Sequence, residues 1–277
     1  MRNYFANLCF GVLRTCATIK CVTTYDFTFT FICDRLFSLP KQRMILLDLF
    51  SGSLSWTKAF AELPDWECIS VDNDAKFTDT TVVCDVLEWE VPERLHGAVD
   101  VVTIGVPCTA YSTANKKKTE EAQEATRVLW RRAFEIADLV LKPNGVFVAE
   151  NPSRTELTGC KSRPIGDMEA LIRPGMYKTQ VNYCRYSDES NVFSWKRTTL
   201  WSNVDLIRNG FEPLLCTARQ RCCVGEIKTT GSYAHYNRMA FTSYSFDKMN
   251  KRLWATMPPL LCRDVRDAAI NALLTDF

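Results

Sequence analysis

MILLDLFSGS, residues 44–53, is the stretch whose reading decides the fold. Met44–Leu49 is apolar apart from Asp48, as expected of a buried strand, and Ser51-Gly52-Ser53 then supplies the small residues of a tight turn. A strand that ends in such a turn lets backbone amides approach a ligand closely, and a helix is expected to start near Ser55.

The same design recurs along the chain. Ile69–Val71 ends in Asp72, and Val82–Val83 runs into Cys84-Asp85. Val99–Ile104 closes with Gly105-Val106-Pro107-Cys108, and Val146–Ala149 with Glu150-Asn151-Pro152. Between the last two, Leu129, Ala133, Ile136 and Val140 recur at helical spacing, so a helix is expected over 120–141, stopped by Pro143-Asn144-Gly145. Strands alternating with helices predict an α/β fold, a doubly wound and mostly parallel sheet with helices on both faces. Ligands in such sheets bind beyond the carboxyl ends of the strands, where each unusual cluster lies.

Beyond Gly175, residues 179–186 and 196–201 alternate like strands and are expected to pair as a hairpin. Residues 205–250 are irregular and rich in Arg, Tyr, Cys and Gly, and 253–274 opens with Pro258-Pro259 and reads as a closing amphipathic helix. Residues 1–43 differ in texture: Arg14, Lys20 and Asp26 break every apolar run, giving neither a bilayer span nor a well-formed signal peptide. The expected organisation is an extension at 1–43, a catalytic domain at 44–203, a small recognition region at 204–250 and a returning helix at 251–277.

A net charge of +2, from 34 Lys and Arg against 32 Asp and Glu, does not announce a polyanion partner. Any nucleic-acid binding must come from a local basic patch. The 13 cysteines are scattered without the spacing of a disulfide framework, which points to reduced thiols in a soluble intracellular protein of the nucleus or cytoplasm.

Asp72, at the end of the second strand, is placed to take ribose hydroxyls, and Asp85 to accept from an adenine amino group. Together with the 48–53 turn they make a nucleoside site. Cys108 follows a strand at an expected helix start, where a thiol is exposed and its pKa lowered. Glu150, on the expected neighbouring strand, can face that thiolate across one small ring. Either residue read alone could be structural: a buried apolar cysteine and an ion-paired acid.

These pieces, in this order, resemble the cytosine-5 DNA methyltransferases, especially their compact phage and large-virus-like branch. The resemblance runs over most of residues 44–270, through LDLFSGSLS (47–55), VDND (71–74), CDVL (84–87), VPCTAYS (106–112), ENP (150–152), NYCRYS (182–187), KRTTLWSN (196–203) and MPPLLCRDV (257–265). It implies a Rossmann-like S-adenosylmethionine-dependent enzyme with a small irregular appended region. Cys108 would be the nucleophile, Glu150 the acid on the base, and Arg185 would act at the cytosine carbonyl. Asp48, Leu49, Phe50, Ser51, Gly52, Ser53, Asp72, Asp85 and Pro107 would form the cofactor site. The substrate would be cytosine in double-stranded DNA, flipped out of the duplex by a monomeric enzyme with no membrane partner.

Two departures stand out. Val106 replaces the first proline of the usual Pro-Pro-Cys, and Leu54-Ser55-Trp56 stands where glycines often follow the first turn. The recognition region is also short for intrinsic sequence specificity.

Lys116, Lys117 and Lys118 follow the Cys108 loop and are candidate phosphate contacts. Arg219, Arg221 and Arg238, with Tyr233 and Tyr236, are candidates for a DNA-facing patch. Cys216, Cys222, Cys223 and His235 lack a Cys-x-x-Cys pair, so no zinc site is expected. His96 reads as a surface-turn residue. Three rival readings use the same residues: an RNA cytosine-5 methyltransferase, a catalytically silent DNA-binding relative, and a pyrimidine nucleotide synthase, which the nucleoside site disfavours.

Overall fold

The computed structural model describes residues 43–110, 119–152, 175–187, 193, 196–216, 225–227, 233–235 and 256–275. The expected extension at 1–43 therefore lies outside the described residues except for Arg43.

Strands β1 (Met44–Leu49), β2 (Trp66–Asp72), β3 (Val82–Val83), β4 (Val99–Ile104), β5 (Leu141–Pro152), β6 (Tyr177–Asn182) and β7 (Arg197–Ser202) form one sheet in the order β3-β2-β1-β4-β5-β7-β6. β1 to β5 pair in parallel, and β7 runs antiparallel to both β5 and β6. The α/β fold with a mostly parallel, Rossmann-like sheet is as expected. From β1 the chain winds outward to β3, then returns to place β4 on the other flank of β1. That reversal opens a crevice at the carboxyl ends of β1 and β4.

Among the described residues three α-helices cover the sheet: α1 (Ser55–Ala61), α2 (Glu120–Val140) and α3 (Pro259–Thr275). Strand alternation divides the core. Leu46, Val101, Val148 and Leu200 face Trp56 and Phe60 of α1 and Leu261 and Val265 of α3. Leu47, Leu49, Val102, Ile104, Phe147 and Ala149 face Trp130, Ala133, Phe134 and Val140 of α2. Burial on both faces explains why β1 and β4 read as continuous apolar runs.

α2 begins at Thr119, whose side chain accepts from the Ala122 amide at 3.1 Å. α3 is fastened to α1 by Arg266, which donates to the Ala59 carbonyl at 2.6 Å and pairs with Glu62 at 3.0 Å. The Ala59 carbonyl belongs to the last turn of α1, whose terminal carbonyls have no partner within the helix.

The expected stop at Pro143-Asn144-Gly145 takes a different form. α2 ends at Val140, Leu141 is already extended and opens β5, and the register against β4 shifts between Val99 and Val101. At the resulting bulge a Cβ on Gly145 would stand 2.8 Å from the Leu141 side chain and 3.0 Å from the Lys142 carbonyl. A larger residue there would require the Leu141 side chain and the Lys142 backbone to give way. The expected hairpin of 179–186 and 196–201 is present as β6 and β7, except that its first strand ends at Asn182 and Tyr183–Tyr186 form a 3-10 turn; the closing helix is present as α3.

Candidate active site at the carboxyl edge of the sheet

The turn after β1 is held in left-handed backbone, with φ of 58° at Phe50, 45° at Gly52 and 60° at Leu54. Such conformations cost non-glycine residues energy, so the surroundings must enforce them. Asp72 at the end of β2 does part of this, accepting from the Gly52 amide and from the Asp74 amide, each at 2.8 Å. Ser51 donates its amide to the Val71 carbonyl at 3.1 Å, and Gly105 donates to the Leu49 carbonyl at 3.1 Å.

Asp48 is buried among neutral donors. One oxygen accepts from the Thr103 hydroxyl of β4 at 2.8 Å, and the other from the Thr57 hydroxyl at 2.8 Å and the Thr57 amide at 3.3 Å. Burial outweighs these bonds and pushes its pKa up to about 6. Asp48 thus ties β1, β4 and α1 together beneath the turn. Asp85, half-buried after β3, accepts from the Leu87 amide at 2.9 Å.

Cys108 is half-buried in the loop that leaves β4. The expectation of a lowered thiol pKa is corrected. Burial is the largest influence and pushes the thiol up, Lys196 opposes it, and the Glu150 carboxylate adds to it. Residues 105–110 are loop and turn, so no helix terminus within them offsets the desolvation.

Glu150 lies on β5, opposite Leu200 in the β7 register, so Thr198 and Lys196, at alternate positions, share its face. Its Oε1 accepts from the Tyr183 hydroxyl at 3.0 Å, from Lys196 Nζ at 3.2 Å and from the Thr198 hydroxyl. The Tyr183 amide donates to the Lys196 carbonyl at 2.9 Å, fixing the two residues side by side where β6 and β7 diverge. The Lys196 ammonium lies 4.6 Å from the centre of the Tyr183 ring. Burial and the Glu150 carboxylate hold the Tyr183 hydroxyl well above its ordinary pKa, so it remains a donor.

The turn at 48–53, Asp72, Pro107, Cys108 and Glu150 therefore share the carboxyl edge, around the reversal between β1 and β4. Lys196, Tyr183 and Thr198 were not anticipated individually. The quoted segments 182–187 and 196–203 contain them, but only strand register shows which of their residues meet Glu150. Arg185 is half-buried in a 3-10 turn, where its charge acts on Tyr186; the cation at Glu150 among the described residues is Lys196. Lys116, Lys117, Lys118, Arg219, Arg221 and Arg238 lie outside the described residues. So do Tyr236, Cys222 and Cys223, while Cys216 is buried. His96 is exposed in a turn, with Nε2 3.3 Å from the Val91 carbonyl.

A protein of Frog virus 3 (isolate Goorha) named "Probable DNA (cytosine-5)-methyltransferase" is 33% identical to this chain over 194 residues, covering 65% of this chain and 78% of the viral protein. The chain belongs to the DNA cytosine-5 methyltransferase family. No family model matches it. Solved structures with partial overlap include a SAM-dependent methyltransferase of Archaeoglobus fulgidus, at 14% identity and a TM-score of 0.39, covering 64% of this chain and 99% of that one. Another is a prophage-encoded E. coli chain assigned to the DNA modification methyltransferases, at 15% identity and a TM-score of 0.40. That match covers 63% of this chain and 52% of the prophage protein, about half its length.

In this methyltransferase the β1 turn suits S-adenosylmethionine, the methyl donor of the family. Ser51 Oγ is buried without a partner among the described residues, beside backbone bent into the left-handed region. Each Asp72 oxygen accepts one amide and keeps lone-pair capacity for a ribose hydroxyl. Among the described residues no helix is long and apolar enough to cross a membrane.

Proposed function

We propose that this chain methylates carbon 5 of cytosine in DNA through a transient covalent bond from Cys108, with Glu150 as the acid that attends the ring. The observation that carries the reading is that Cys108 and Glu150 stand at the carboxyl edge of the adjacent strands β4 and β5, close enough for the Glu150 charge to act on the thiol.

Carbon 5 of cytosine is a poor nucleophile within the aromatic ring. Bond formation between Cys108 Sγ and carbon 6 removes that aromaticity and moves an electron pair towards carbon 5 and the ring nitrogen. Glu150 supplies a hydrogen bond or proton at ring nitrogen 3 and so stabilises the developing charge. S-adenosylmethionine, when bound, supplies the electrophilic methyl group. After transfer, loss of the carbon 5 proton restores the double bond and expels the Cys108 thiolate. A stacked duplex hides carbon 6 from any thiol, so the cytosine is flipped out at a cost of about a few kcal/mol.

Asp72 and the 50–54 turn bind and orient the donor, and Asp48 braces that turn from beneath. Lys116–Lys118 and the arginines at 219, 221 and 238 contribute phosphate contacts, and residues 204–250 form the recognition region.

DNA containing 5-fluorocytosine tests the reading, because fluorine at carbon 5 cannot leave as a proton and the adduct persists. With S-adenosylmethionine present, wild type should form a denaturation-resistant complex and Cys108→Ser none. An adduct that survives Cys108→Ser, or its absence in wild type, rejects the covalent mechanism. Parallel assays of methyl transfer to transfer RNA decide between DNA and RNA.

A further inference from the structure

Cys108 and Glu150 present an electrostatic conflict. The proposed attack needs a thiolate, yet the thiol is half-buried beside a carboxylate, and both conditions disfavour a second negative charge. Among the described residues, Lys196 is the positive charge that acts on both. Its Nζ is 3.2 Å from Glu150 Oε1, and it is the group whose charge most favours the Cys108 thiolate.

Among the described residues, the other ionisable groups nearby do not supply that charge. Tyr183, on the 3-10 turn after β6, is held as a neutral donor. Cys262 of α3 is fully buried near Asp48 and Glu150, and its thiol is driven well above its ordinary range. Asp48 of β1 is negative or neutral, never positive. Lys116–Lys118 lie outside the described residues.

Lys196 is also held in place. Its carbonyl accepts from the Tyr183 amide, and its ammonium rests 4.6 Å from the centre of the Tyr183 ring. The three Glu150 donors among the described residues, Tyr183, Lys196 and Thr198, all reach Oε1. Oε2 is thereby left as the oxygen with open lone pairs, so a proton exchanged with the base must travel through it.

We propose that Lys196, steadied by Tyr183, is a positioning residue: its ammonium lets the Cys108 thiolate and the Glu150 carboxylate coexist, and its bond to Oε1 turns Oε2 toward the base. The role rests on the covalent reading above. It explains how a half-buried thiol beside a carboxylate can react near neutral pH. An unpaired carboxylate beside an unpaired thiolate would otherwise leave two like charges in a desolvated site.

Alkylation by iodoacetamide tests this without DNA or cofactor. The full-length chain is treated over a pH series, and modification of the peptide holding Cys108 is followed by mass spectrometry. For Lys196→Met the midpoint should rise by about 1 pH unit, the size expected when an opposite charge is removed nearby. Lys196→Arg should restore the wild-type midpoint, and Glu150→Gln should lower it. Lys196→Gln serves as the neutral variant if the methionine substitution does not fold. An unchanged midpoint in a folded neutral variant overturns the proposal.

A second readout uses the 5-fluorocytosine adduct. Lys196→Met should form it at least about tenfold more slowly at neutral pH, with much of the loss regained at higher pH. A loss that is equal at every pH would mean that Lys196 is merely structural, and would also overturn the proposal. If wild type forms no adduct but the alkylation midpoint still shifts, the covalent reading fails while the Lys196–Cys108 coupling stands.

Discussion

The two halves of the carboxyl edge use acids in opposite ways. At the β1–β2 half, Asp48 and Asp72 accept from hydroxyls and backbone amides, and all but the local bond from the Asp74 amide join one element to another. At the β5–β7 half, Glu150 is held on one oxygen by a cation, a phenol and a hydroxyl. Neutral donors spread over both oxygens of Asp48 make it a brace. Donors gathered on one oxygen of Glu150 leave the other for chemistry. The same residue class at the same edge of one sheet therefore serves shape in one half and reactivity in the other.

Replacing the reactive acid should have the largest effect. Glu150→Ala is expected to slow methyl transfer by about 10²–10⁴-fold, the usual range for a lost general acid. S-adenosylmethionine affinity, read by calorimetry, should be unchanged, because that site belongs to the other half. A parallel fall in affinity would break the division.

Asp48→Asn probes the brace through pH. Burial raises the Asp48 pKa from 3.8 to about 6, so the folded state holds this proton more tightly than the unfolded chain does. Its favourable contribution is complete below about pH 4 and is lost as pH rises through about 6, an effect of roughly 2–3 kcal/mol. The asparagine variant has no such titration. Its melting temperature relative to wild type should therefore improve between pH 4 and pH 7, and a constant difference would show that Asp48 does not titrate there.

Asp72→Ala removes the acceptor for the Gly52 amide and a carboxylate facing the cofactor. It should weaken S-adenosylmethionine binding about 10-fold to 100-fold, equivalent to about 1.4–2.8 kcal/mol. The rate at saturating donor should stay close to wild type.

Thr119→Ala, remote from both halves, removes the α2 cap and should cost about 1 kcal/mol in denaturant unfolding with no change in cofactor affinity.

Much of this was readable locally. Runs such as Met44–Leu49 and Val99–Ile104 identify strands because burial on both faces demands apolar residues throughout, and the spacing from Leu129 to Val140 identifies α2. Asp72, Cys108 and Glu150 stood out as polar or reactive residues at the ends of those runs. What could not be read was non-local. Lys196, Tyr183 and Thr198 reach Glu150 because β7 runs antiparallel to β5 and β6, and Lys196 is 46 residues away from it in the chain. The lowered thiol pKa expected for Cys108 rested on its local setting, whereas burial by the assembled fold sets the direction.

By itself the sequence determined the order of strands and helices, the parallel α/β architecture and which reactive residues end the strands, since these follow from periodicity and turn chemistry along the chain. Tertiary structure alone decided which oxygen of Glu150 is engaged, which cation faces Cys108 and which acid is only a brace. Those are properties of distance and desolvation, and they exist only once strands remote in sequence lie side by side.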